Sequence, residues 1–456
     1  MNRKYFIISY IICFVPSAFA YFEPGTGSIL ISSIISLFAT SLFYIKDICY
    51  KIQAYRARWS GQQAERKHHG LAFYCEGPQY WNTFKPILES LDQRGIEATY
   101  LTSSLDDMGL KFESKFVTCQ YIGQSTKAYA YLQMLEADVL AMTTPGFDVL
   151  QIKRSKRVKH YAYIQHAPTT GVYNTYSFDY FDSILCSGPH QIKALRTLEQ
   201  KRGLPPKKIL ESGCPYFDVL MDQKKDIFTS SSKIHQHEQT RILIAPTWDT
   251  NGLLHRFGVD LIEPLARQGY DITIRPHPQS LIVEVEMINS LKQTLQKYHN
   301  IKWDENPSAF ETLAQSDIMI SDMSGIIFDY AFIFEKPVIT MKFDIDLSGS
   351  DANDLSEPLW ELQALDQIGR QVSLDELDKL SEITENLSQD QGIKDRIRAI
   401  RDNSVFYYGK SGSVIANQLL NIRNKLTQPS QEHLESASYS FEERDHVLND
   451  KVEASK

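Results

Sequence analysis

Three short stretches hold the residue types that move protons and grip phosphates. They are YIQHAPTTG with His166, TIRPHPQS with Arg275 and His277, and SDMSGIIFDYAF with Ser321, Asp322, Ser324, Gly325 and Asp329. A histidine side chain titrates near neutrality, so a neutral imidazole can take a proton from a hydroxyl at pH 7. An arginine fork matches the oxygens of a phosphate. A knot of small residues at a helix start lets a phosphate approach unpaired backbone N–H groups and the positive end of the helix dipole. One histidine after a strand is most simply a satisfied structural residue, and a Ser at a helix start is most simply a cap. Two such histidines, with an arginine and a phosphate-sized helix start, point instead to a functional site.

These residues need elements that bring them together. From Leu71 the chain alternates apolar strand-like runs (LAFYC, EATYL, FVTCQYI, ADVLAMT, YAYIQ, SILCS) with amphipathic helical patterns such as Trp81 to Gln93 and Gln191 to Lys201. The pattern resumes at Arg241 with RILIAP, ITIRP, IKWDE, IMIS and PVITM, and helical segments lie between them. Such alternation predicts an α/β fold of two doubly wound, Rossmann-like domains facing a cleft at the strand C-terminal ends, where all three polar motifs stand. The expected first domain covers 69–222, the second 240–426, and the polar stretch 223–239 joins them. Residues 427–456 are polar and acidic and read as a disordered tail.

Composition narrows the partners. A 456-residue chain with 43% hydrophobic residues has room for two domains, and a net charge of -8 offers no basic field for nucleic acid. Cys13, Cys49, Cys75, Cys119, Cys186 and Cys214 are scattered singly, which suits reduced thiols in a core. His68-His69, His235-Gln236-His237 and Asp344-Ile345-Asp346 have no partner cluster in the sequence, so no metal site is expected. The N-terminus reads differently. Residues 1–20 resemble a signal or first membrane segment, 28–46 are apolar enough to span a bilayer, and 47–68 are basic. By the positive-inside rule this places the protein at the inner membrane with its main body facing the cytoplasm.

The blocks APTW (Ala245 to Trp248), RPHP (Arg275 to Pro278), SDMSGIIFDYAF and SGCPYFDVL (Ser212 to Leu220) occur in an order that resembles the CDP-glycerol glycerophosphotransferases, GT-B-fold enzymes that build teichoic acids and related polymers of the cell envelope. The resemblance covers roughly Gln165 to Phe334. It departs from the family pattern in HAPT, where the family has His-Gly-Thr-Pro, and in Gly325, where the family has a second serine. It implies transfer of glycerol phosphate, or a related polyol phosphate, from a CDP-linked donor to a hydroxyl of a glycan or lipid-linked acceptor, with release of CMP and no cofactor. It further implies catalytic roles for His166 and His277, and contacts to the donor phosphate and nucleotide by Arg275, Ser321, Asp322, Ser324, Gly325, Asp329 and Thr247. Two other readings share the expected fold: a glycosyltransferase or sugar-nucleotide epimerase acting on a UDP- or CMP-linked sugar, and a non-catalytic membrane-anchored binding protein.

Overall fold

The computed structural model describes residues 67–230, 239–322, 324–342 and 347–428. The expected segments 1–20 and 28–46, all but the last two residues of 47–68, His235 and His237, most of the tail and the Asp344/Asp346 pair lie outside them. Among the described residues no helix is long and apolar enough to cross a membrane.

The first lobe is a seven-stranded, wholly parallel sheet in the order β3-β2-β1-β4-β5-β6-β7. Its strands are β1 (His69–Cys75), β2 (Ala98–Thr102), β3 (Val117–Tyr121), β4 (Ala137–Met142), β5 (Val158–Ile164), β6 (Ser183–Cys186) and β7 (Lys208–Glu211). The second is a six-stranded parallel sheet in the order β10-β9-β8-β11-β12-β13. It comprises β8 (Arg241–Ile244), β9 (Asp271–Ile274), β10 (Ile301–Trp303), β11 (Ile318–Ser321), β12 (Val338–Met341) and β13 (Gly369–Val372). Central strands such as β2, β4 and β11 are buried at every position, as a sheet covered by helices on both faces demands. Strand order reverses between β1 and β4 in one lobe and between β8 and β11 in the other. Ligands of doubly wound sheets bind beyond the strand ends at that reversal. The SDMSG knot follows β11 there, and His166 follows β5, one strand from the first reversal.

Helices divide between the lobes differently from the expected boundaries. The stretch expected to begin a linker at 223 continues helix α3 (Pro215–Ser230), which follows α1 (Trp81–Gln93) and α2 (Pro189–Arg202). Phe217 and Leu220 of α3 already pack into the second lobe's core, so the chain crosses at Ser212 to Cys214. It crosses back after Ser404. The terminal helix α6 (Ser411–Thr427), which follows α4 (Ile326–Phe334) and α5 (Trp360–Ile368), places Ile415, Ala416, Leu419, Leu420 and Ile422 in the first lobe's core, correcting the expected end of the second domain at 426.

The two crossings run side by side. Gly213 has φ 82°, and a Cβ there would meet the Phe406 carbonyl oxygen at 2.2 Å, so glycine is required on both counts. Asp218 of α3 accepts hydrogen bonds from the Ser411 N–H (3.1 Å) and the Gly412 N–H (2.7 Å), joining α3 to the start of α6.

Beyond β12, residues 347–359 lie against the first lobe. Ala352 and Leu359 enter its core, and Asp351 accepts the Tyr176 and Ser177 N–H groups and pairs with Arg202.

Candidate active site

His166 opens the turn after β5, and nearly every carbonyl of that turn is held. The Cys214 thiol lies 3.6 Å from the His166 carbonyl. Ser187 Oγ and Gln191 Nε2 donate to the Ala167 carbonyl at 3.0 and 3.1 Å. His190 Nε2 donates to the Pro168 carbonyl (2.6 Å), and Gln191 Nε2 to the Thr169 carbonyl (2.6 Å). This satisfaction explains why a polar, proline-containing turn can sit at a buried strand end. The His166 ring lies edge-on to Tyr80, centroids 4.9 Å apart. Its Nδ1 is buried without a hydrogen-bond partner among the described residues, and the residue as a whole is partly exposed. Burial pushes the imidazole down to about 4, so the ring is neutral at pH 7.

In the second lobe, Asp322 organises the opposite wall. Its buried carboxylate accepts the Thr247 N–H and the Leu253 N–H, each at 2.8 Å, which fastens the loop after β8 to the end of β11. Ser321, fully buried, donates its hydroxyl to the Ala245 carbonyl. Both side chains are therefore engaged as internal fasteners. Arg275 is engaged likewise. Its guanidinium pairs with the buried Asp304 carboxylate (2.6 Å) and donates to the Asn306 carbonyl (2.8 Å), tying the end of β9 to the end of β10. Thr247 stays at the strand end with its backbone fixed by Asp322 and its residue partly exposed.

His277 is partly exposed, and its Nδ1 accepts the Gln279 N–H at 3.1 Å. In the neutral ring the proton then sits on Nε2, which makes that nitrogen a donor. Burial pulls its pKa down, with Asp322 and Glu284 opposing.

Gly325, not Ser324, is the residue at the N-cap of α4, and no side chain caps the helix. The N–H groups of Gly325 and Ile326 have no acceptor among the described residues. Gly325 has φ −58° and a Cβ there would meet nothing within 4 Å, so neither backbone nor packing calls for glycine. Ser324 is partly exposed beside it.

Asp329, one turn further, is partly exposed. Burial among protein atoms pushes its carboxyl up to about 7, and its charge raises Cys214 and Tyr216.

His166 follows β5, Thr247 follows β8, His277 follows β9, and Ser324, Gly325 and Asp329 stand at the start of α4, all partly exposed or exposed, while Arg275, Ser321 and Asp322 are buried. The sequence reading missed Tyr80, His190, Gln191, Trp360 and Glu361, which shape the site from behind His166. Their partners lie far along the chain, and nothing in their local patterns marks them.

The paired histidines of 68–69 are structural: His69 is buried in β1 with Nδ1 on Thr99 Oγ1 (2.9 Å), and His68 Nε2 lies 3.2 Å from Asp138. Among the described residues no group of three or more His, Cys, Asp and Glu could hold a metal ion.

Residues 115–411 match the family described as CDP-Glycerol:Poly(glycerophosphate) glycerophosphotransferase. No curated protein matches the chain in sequence. Among solved structures, the wall teichoic acid polymerase TagF from a crystal soaked with CDPG aligns with TM-score 0.50 and 16% identity, over 87% of this chain and 99% of that one. The UDP-GlcNAc 2-epimerase of Methanocaldococcus jannaschii, in complex with UDP-GlcNAc and UDP, aligns with TM-score 0.52 and 14% identity over 77% and 99%. That of Neisseria meningitidis, bound to UDP-GlcNAc, aligns with TM-score 0.51 and 12% identity over 79% and 100%. At these identities the structures agree on the two-lobed GT-B-like fold alone.

Proposed function

Because the chain belongs to the CDP-glycerol:poly(glycerophosphate) glycerophosphotransferase family, we propose that it moves glycerol phosphate from CDP-glycerol to a hydroxyl of a cell-envelope glycan or lipid-linked acceptor at the inner face of the membrane. The observation that carries the reading is the family match across 115–411, which spans His166, His277 and the open start of α4.

The chemistry follows from the groups present. The acceptor oxygen attacks the glycerol-bearing phosphorus, and the bridging P–O bond to the CMP phosphate breaks with its electron pair on the CMP oxygen. His166 Nε2 takes the acceptor proton; Nδ1 carries the ring's own proton. A neutral imidazole is already in the accepting form at pH 7. The uncapped N–H groups of Gly325 and Ile326 and the Nε2–H of His277 donate to phosphate oxygens, where negative charge builds on the departing CMP. Asp329 is available to the ribose or to a phosphate oxygen, and in protonated form it can donate.

The fold is shared with sugar-nucleotide epimerases, so the test must separate them. The purified protein, with native envelope membranes as acceptor source, is incubated with CDP-glycerol, CDP-ribitol and UDP-GlcNAc. Turnover of a CDP-polyol and not of UDP-GlcNAc is expected. Epimerised UDP-GlcNAc with untouched CDP-polyols would replace this reading with the epimerase.

A further inference from the structure

The carboxylate of Glu361 belongs to the second lobe through α5, whose Ala364, Leu365 and Ile368 pack in that lobe's core, yet it is buried against the first. Glu361 accepts the Thr170 N–H (3.1 Å), the Thr170 hydroxyl (2.5 Å) and the Tyr173 hydroxyl. It also stands in the first turn of α5, where the helix N-terminus favours an anion.

The groups holding the turn from His166 to Thr169 are Ser187, His190 and Gln191 of the first lobe, with Cys214 at the crossing. Among the described residues beyond that crossing, Glu361 is the second-lobe side chain that hydrogen-bonds the 166–170 segment. Its neighbour Trp360 stacks on His190 (centroids 4.2 Å, 17° between planes) and packs against Phe328 of α4 (5.1 Å). One dipeptide therefore touches both the helix that starts at the phosphate knot and the turn that presents His166. The exposed pair Lys193 with Glu357, in the neighbouring 347–359 segment, has no such link to the turn.

We propose that Glu361 is a positioning residue: from the start of α5 it fixes the turn that presents His166, so that the proton acceptor is held in place by a residue of the donor lobe's own helix. A buried carboxylate with three donors cannot lose them without a large desolvation cost, which holds the turn in one position. The assignment rests on the role proposed for His166, and its test has one readout that does not need turnover.

The wild type, Glu361→Gln, Thr170→Val and the double variant are compared, with Glu357→Gln as a control for loss of a nearby exposed carboxylate contact. The His166 Cε1–H resonance, identified by its loss in His166→Gln, is followed against pH. In the wild type His166 stays neutral at pH 5; in Glu361→Gln the loosened turn admits water and the ring is protonated there. With CDP-glycerol and envelope membranes, Glu361→Gln loses about tenfold to a hundredfold in kcat with donor affinity within about twofold, because a misplaced base loses rate and not binding. The double variant falls no further than Glu361→Gln, and Glu357→Gln stays within about twofold of wild type. A His166 titration identical in wild type and Glu361→Gln overturns the proposal, as does an unchanged kcat or an additive double variant. Should the wild type leave CDP-glycerol untouched, the reaction is misassigned and the titration still decides the positioning role. If Glu361→Gln does not fold, Tyr173→Phe removes one bond to the same carboxylate and carries the same readouts at smaller size.

Discussion

His166 and His277 present different faces of the same chemistry. A ring whose pKa lies near 4 accepts a proton at any pH above about 5, so the rate should stay level from pH 5.5 to 8 as far as His166 is concerned. His166→Gln should lose about a hundredfold or more in kcat while its denaturant midpoint changes little. A falling acid limb centred on the ordinary histidine range and absent from His166→Gln would contradict this. Gly325 gives a second prediction. Alanine fits there without strain or contact, so Gly325→Ala should leave stability within about 1 kcal/mol and still raise the donor KM by about tenfold, because its methyl occupies the approach to the N–H groups. Asp329 gives a third, in stability. Its folded pKa of about 7 lies above its ordinary 3.8, so the folded state holds the proton longer than the unfolded one. This group's contribution is most favourable below the ordinary value and is lost as pH rises toward 7. Asp329→Asn should therefore gain about 1–3 kcal/mol relative to wild type between pH 4.5 and pH 8 in denaturant unfolding. An equal difference at both pH values would show that the carboxyl is not held protonated.

At the scale of elements, the lobes are joined by two chain crossings and by the cap that Asp218 places on α6. Removing that cap in Asp218→Ala should cost about 1–2 kcal/mol, read from the urea midpoint, with kcat reduced less than stability. The apolar runs of β1, β2, β4 to β6, β8, β9, β11 and β12 were legible because parallel strands covered on both faces are continuous apolar segments, and the edge strands β3 and β10 through their aromatic and β-branched residues. β7 and β13 were not: KILE and GRQV are edge strands with partly exposed positions, too short and polar to stand out. α3 was misread beyond 222 because its second half is rich in Lys and Asp, and packing at Phe217 and Leu220 rather than local pattern carries it on. Within the site, His166, His277 and the SDMSG knot were legible as polar groups at apolar strand ends. Arg275, Ser321 and Asp322 carry the same local signal, and only their partners Asp304, Ala245, Thr247 and Leu253 reveal them as fasteners. Glu361 was illegible, since its meaning lies in Thr170, 191 residues away along the chain.

For the whole molecule, the account expects a transferase working without a metal cluster beside the phosphate helix. Turnover should survive chelator, measured as nucleotide release with and without EDTA; loss restored by magnesium would assign phosphate neutralisation to a metal instead. The basic residues Lys46, Lys51, Arg56 and Arg58 motivate a further expectation. A variant lacking residues 1–45 should keep activity on a soluble acceptor and lose it on acceptor in anionic vesicles, more so at high salt. Equal activity on vesicles at low and high salt would remove the N-terminus from substrate access. The central claim is cleavage at the glycerol-bearing phosphorus, and the identity of the released nucleotide reads it directly. Following CDP-glycerol by phosphorus NMR in the presence of envelope membranes should show CMP appearing together with a new phosphodiester, both absent with His166→Gln. Release of CDP, which would mean attack at carbon, or a CDP-glycerol signal left unchanged, would contradict the account.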